Sequence, residues 1–142
     1  MTRSAIITDI VACLRAMGPA HGHSLAARQV LRGIHLASEL SEKPALCLFN
    51  EKVQTADSTS QSAERTLVLR LWGAINAKGG DYGQLDALAA SCLLALTDPT
   101  LNPHAARTSL GDIEFYEGGA GDPLGLFDME LRVCYETPLA IL

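Results

Sequence analysis

The residues able to do chemistry are few, and none falls into a catalytic pattern. His21 and His23, one glycine apart, are the closest pair among four histidines, the others being His35 and His104. Two imidazoles at that spacing could hold a metal ion, but no cysteine or carboxylate stands at ligand distance along the chain. A solvated loop is the simpler expectation. The stretch LGDIEFYEGGAGD offers Asp112, Glu114, Glu117 and Asp122. A pair of carboxylates does general acid and base work when one sits in an apolar pocket that raises its pKa. Glu114 instead alternates outward from Ile113 and Phe115, as on a solvated face. The glycines of AKGGDYGQ precede a helix and could present amides to an anion, yet the phosphate-loop lysine is missing. Serines in 58–62 lack the glycine-flanked elbow of a nucleophile. No catalytic residue, metal ligand or cofactor site is expected, so the protein reads as something other than an enzyme.

The cysteines Cys13, Cys47, Cys92 and Cys134 are widely spaced, without a C-x-x-C pair, and each sits in an apolar periodic segment. They are expected to be buried, reduced thiols behaving as small hydrophobes.

Composition narrows the class further. The chain has 142 residues, 48% of them apolar and 19% charged, with a net charge of −5. Its length predicts one domain over 1–142, large enough to bury its own core. The acidic balance argues against nucleic-acid binding, which calls for clustered Lys and Arg. No apolar run approaches the roughly 18 residues that span a bilayer. Asp9 and Arg15 break the N-terminal segment MTRSAIITDIVACLRAMG as a signal peptide, so it reads as an amphipathic helix and the protein as cytosolic.

Periodicity assigns the elements. Ser4 is the expected cap of a first helix with Ile6, Ile7, Ile10, Val11, Leu14 and Met17 on one face, stopped by Gly18-Pro19. Residues 20–44 lean towards strand and irregular structure, and PALCLFNEKV from Pro44 is a firmer strand. The polar stretch 54–64, QTADSTSQSAE, predicts a mobile connection. RTLVLRLWGAI over 65–75 puts Leu67, Leu69, Leu71 and Ile75 on one face. Asp81 is the expected cap of a helix lined by Leu85, Leu88, Ala89, Cys92, Leu93 and Leu96, ending by Asp98 ahead of Pro99. DPTLNPHAARTSLG reads as an irregular crossing and IEFYE as a strand. In LFDMELRVCYE, Phe127, Met129, Leu131, Val133 and Tyr135 alternate with the charged Asp128, Glu130, Arg132 and Glu136, which predicts one dry and one wet sheet face. The order predicts an α+β fold: a mainly antiparallel sheet with two helices packed on one face.

Two of these strands look long for the body that holds them. Eleven residues span about 36 Å, against a diameter of about 37 Å for a compact chain of this length. Gly73 and Gly125 offer places to bend. Unpaired edges of such strands would be templates for another chain. Trp72, the sole tryptophan, lies beside Arg70 on the mixed face of its strand. Trp and Arg are enriched at the centres of interfaces. Arg70, Trp72, Asp128, Glu130 and Arg132 are therefore the candidate subunit or partner interface.

In its order of elements the chain resembles the tail terminator proteins of long-tailed bacteriophages, the family of the lambda-type minor tail protein U. The features are the N-terminal amphipathic helix, the PALCLF strand, LVLRLWGAI, the D-x-x-x-L-x-x-L helix from Asp81, and the final strand ending VCYET. The resemblance implies a homo-oligomeric ring, a hexamer, located in the virion at the neck of the tail and assembled in the host cytoplasm. The ring would cap the head-proximal end of the tail tube and stop its polymerisation. It would contact tail tube protein and a neck or head-completion protein, with DNA passing through the lumen without specific binding. The alternatives are another head–tail joining protein, or a small cytosolic ligand-binding domain or enzyme with an intersubunit site.

Overall fold

A computed structural model describes residues 2–33, 40–77, 80–118 and 123–142. The elements are α1 (Arg3–Ala16), β1 (Gln29–Arg32), β2 (Ala45–Ser58), β3 (Ser62–Asn76), α2 (Gly83–Thr97), β4 (Thr108–Glu117) and β5 (Leu124–Pro138), with short 3-10 turns at Pro19–His21 and Ala105–Arg107. Among the described residues five strands lie in the order β1-β2-β3-β5-β4. Of their pairings β1–β2 is parallel and the other three are antiparallel. The fold is α+β, as the periodicity predicts.

The dry face forms because alternation in neighbouring strands is in register. Leu67, Leu69 and Leu71 of β3 stand opposite Val133, Leu131 and Met129 of β5. All six are fully buried, together with Ile6, Ile10 and Leu14 of α1 and Leu85, Leu88 and Leu96 of α2. Each helix thus turns one apolar stripe onto the same face of the sheet.

Local details depart from expectation. Thr2, not Ser4, caps α1: its hydroxyl accepts from Ala5 N at 3.2 Å. Thr2 has the extended backbone a cap needs, whereas Ser4 already lies within the helix. Asp81 stands one residue outside the cap of α2 and accepts from Gly83 N at 3.0 Å. Between 20 and 44, β1 realises the expected strand; 34–39 lie outside the described residues.

The largest correction concerns 54–64. That stretch is not a long connection but the end of a hairpin, joined by Thr59, Ser60 and Gln61 alone. Thr59 builds the turn by accepting from Gln61 N at 3.2 Å and Ser62 N at 3.1 Å. Polarity there marks strands running beyond the helices, where side chains face water while the backbone stays paired. Thr108–Gly111, expected to be irregular, likewise belongs to β4. The 15 residues of β3 and of β5 exceed the expected length. At about 3.3 Å per residue they reach roughly 50 Å. Neither Gly73 nor Gly125 interrupts their register; the irregularities fall in β2, at Asn50/Lys52 and Thr55/Asp57, and in β4, at Leu110/Ile113.

The other face is not uniformly wet. At the β1 end of the sheet, Leu40, Ala45, Cys47 and Ala74 make a second small buried cluster, with Leu31 and Leu126 against it. Aromatic and charged side chains share the rest of that face.

Candidate interaction face

Cross-strand register brings the five residues singled out from the sequence onto one surface, the sheet face that neither helix covers. Trp72 lies between Cys47 of β2 and Asp128 of β5, and Asp128 is opposite Glu114 of β4. One step along, Arg70 lies between Phe49 and Glu130; the next step pairs Val68 with Lys52 and Arg132.

The side chains form an apolar centre with paired charges around it. Trp72 meets Phe49 edge-on, with ring centroids 5.1 Å apart and planes at 86°. It stays 36% exposed, half-open to solvent in the middle of a strand. Trp72, Tyr116, Leu126, Phe127 and Asp128 line a hollow of about 290 Å³. Arg70 Nη1 lies 3.3 Å from Asp128 Oδ1, and Arg132 Nε lies 2.7 Å from Glu130 Oε1. The Tyr116 hydroxyl donates to Glu114. Phe49, Tyr116 and Leu126 went unnoticed in the sequence because only the register across strands places them beside Trp72.

The electrostatics suit contact better than proton transfer. The hydrogen bond from Arg132 holds the Glu130 carboxyl below its ordinary range. The bond to Glu114 pushes the Tyr116 hydroxyl up. A general acid or base working at neutral pH needs its pKa moved towards 7, and both groups move away from it.

Other chemistry-bearing residues are put to structural use. His21 is exposed, as expected of a loop residue, but His23 is buried and its Nδ1 accepts from Gly18 N at 3.1 Å. His104, also buried, brings Nε2 to 2.8 Å from Asp9 Oδ2 and so fastens the crossing before β4 to α1. No sequence signal linked residues 95 positions apart. Glu114 is exposed as anticipated. His35 and Asp122 lie outside the described residues, as do two positions of the AKGGDYGQ turn. None of the four cysteines is in a disulfide, but Cys134 is exposed, contrary to expectation, because it points to the charged side of β5. Among the described residues no group of three or more His, Cys, Asp or Glu could hold a metal ion, and no helix is long and apolar enough to cross a membrane.

Comparison with known proteins changes the functional reading. No protein-family model and no curated protein matches the chain. Two similar solved structures are of PilO, the type 4 fimbrial biogenesis protein of Pseudomonas aeruginosa. One matches at 10% identity and a TM-score of 0.36, covering 95% of this chain and 69% of that one. The other, the core region of PilO, matches at 13% identity and a TM-score of 0.29, covering 78% and 99%. The tail-terminator resemblance is overturned.

These neighbours are pilus biogenesis proteins and not phage proteins, and no family match supports a tail terminator. The tail-capping ring, the neck or head-completion alternative and the virion location fall with it. The physical reason is that the resemblance rested on the order of helices and strands, and an order of elements recurs in unrelated proteins. At these TM-scores the likeness to PilO assigns this chain neither fold nor function.

Proposed function

We propose that the protein is a non-catalytic assembly subunit that binds further copies of itself through the open face of its sheet. The observation that carries this reading is Trp72, held edge-on by Phe49 and left 36% exposed above an apolar hollow on the face that neither helix covers. A tryptophan with neighbouring arginines and a ring of paired charges has the composition of an interface centre with a polar rim. Asp128 is paired with Arg70 and Glu130 with Arg132, so covering these two carboxylates strands neither charge, while Glu114, held by the Tyr116 hydroxyl, belongs to the solvated rim.

Sedimentation velocity over a range of protein concentrations tests it. Self-association should appear as concentration rises, with the tryptophan emission shifting to the blue as Trp72 is covered. Trp72→Ala should weaken association by about tenfold or more, the scale of an interface anchor, and leave the melting temperature nearly unchanged. A chain that stays monomeric throughout, or a variant that associates as the original does, overturns the reading.

A further inference from the structure

Charge is unevenly divided between the two edges of the sheet, with Glu42 beside β1 and Arg107 just ahead of β4 as the exceptions. Residues 10–38 carry three arginines, Arg15, Arg28 and Arg32, and no carboxylate. Residues 108–131 carry six carboxylates and no lysine or arginine. The strand order places β1 at one edge and β4 at the other, so this polarity of the sequence becomes a polarity of the molecule. At the β1 edge Arg15, Arg28 and Arg32 are all exposed, and Arg15 Nη2 lies 3.1 Å from Val30 O, which sets a guanidinium against the backbone of the edge strand. At the β4 edge Asp112, Glu114 and Glu117 are exposed, and so are two aromatic side chains, Phe115 at 47% and Tyr116 at 50%. Tyr116 also lines the Trp72 hollow, so the acidic edge and the candidate face form one continuous surface.

Accepting the proposal that the protein assembles through this face, we infer that the surface it meets is the arginine-bearing β1 edge of the next copy, so that copies join head to tail. A symmetric contact between two β4 edges would set carboxylates against carboxylates, and one between two β1 edges would set guanidiniums against guanidiniums; like charges placed opposite each other are repelled. Only the unlike edges attract. Strand direction agrees: β4 runs opposite to β1 in the sheet, so an unrotated neighbour would approach in the antiparallel sense. Arg28 and Arg32 supply charge to the acidic rim, while Phe115 and Tyr116 supply the apolar surface buried with it. A contact between different patches leaves one of each free at the ends, so the assembly continues beyond a dimer.

Three folded variants decide it, each checked by circular dichroism and thermal melting. Variant one carries Asp112→Lys, Glu114→Lys and Glu117→Lys; variant two carries Arg28→Glu and Arg32→Glu; variant three carries all five changes. The first two should each be monomeric at concentrations where the original chain assembles. The third, with both edges reversed in one chain, should assemble again. Assembly of the original chain should weaken about tenfold or more between 50 and 500 mM salt. If variant two assembles like the original, if variant three stays monomeric while folded, or if assembly ignores salt, head-to-tail joining is wrong while self-assembly stands. If the original chain never associates, both readings fall.

Discussion

The ring of Phe127 lies directly across Gly73: a Cβ placed on Gly73 would stand 2.0 Å from Cε2 of that ring. The two residues are cross-strand partners on the dry face, and Phe127 is among the largest fully buried side chains. The glycine is there for space, since its neighbours pair without a bulge. Gly73→Ala must displace Phe127 or part the strands, and overpacking of this kind costs about 1–3 kcal/mol. Chemical denaturation should show that loss. Gly73→Ala combined with Phe127→Leu should cost less than the two single changes added together, because the smaller side chain vacates the space the methyl needs. Strict additivity would mean that the two residues do not touch.

What the sequence made legible, and what it hid, follows from the range of each signal. Period-two alternation placed the dry face because Leu67–Leu71 and Phe127–Tyr135 report the same surface within their own segments. Period 3.6 placed both helices for the same reason. The polar run 54–64 misled, because hydrophilic residues mark exposure, and an exposed strand with a paired backbone looks like a loop when read residue by residue. The candidate face was half legible: Arg70 and Trp72 stand out by type, but Phe49, Tyr116 and Leu126 join them only through inter-strand register, which no single segment encodes. The head-to-tail polarity of charge was present in the sequence as two long one-sign segments. It acquired meaning only when the strand order sent them to opposite edges.

The crossing from α2 to β4 is held by buried polar groups. Asn102 is fully buried; its Nδ2 donates to Leu96 O at 2.8 Å and its Oδ1 accepts from His104 N at 2.9 Å. Asn102→Ala leaves a buried carbonyl and a buried amide without these partners, which costs about 1–3 kcal/mol. The same change should loosen His104 from Asp9, so hydrogen exchange at His104 N should rise more than exchange in the β3–β5 ladder. Equal protection in variant and original would show that the asparagine does not hold the crossing.

The four thiols should separate sharply in reactivity. Burial pushes Cys13 up to about 11 and Cys92 up to about 12, so neither forms thiolate near neutral pH. Cys47 is buried in the small second cluster, and Cys134 is exposed on the charged side of β5. A thiol reagent at pH 8 should therefore modify one residue of the folded protein, identified by peptide mass as Cys134. The other three should react only in denaturant. Rapid modification of Cys13 or Cys92 under native conditions would contradict the packing of α1 against α2.

Glu130 gives the open face a defined response to pH. Its carboxyl is held low first by the hydrogen bond from Arg132; desolvation opposes this, and the positive charges of Arg132, Arg70 and Lys52 each add a smaller lowering. A carboxylate whose folded pKa lies below its unfolded value, about 4.3 for Glu, contributes stability that is present above that value and lost as pH falls through the folded pKa. The group is half-buried on a face open to solvent, so screening keeps the effect on stability small, and the shift itself is the observable. Carboxyl titration followed by NMR should put the Glu130 midpoint below that of an unpaired glutamate. Arg132→Ala should move the midpoint upward, part of the way back, because Arg70 and Lys52 still face the carboxylate. A midpoint unmoved by the substitution would mean that Arg132 spends its time elsewhere, and that the rim of the face is not organised as ion pairs.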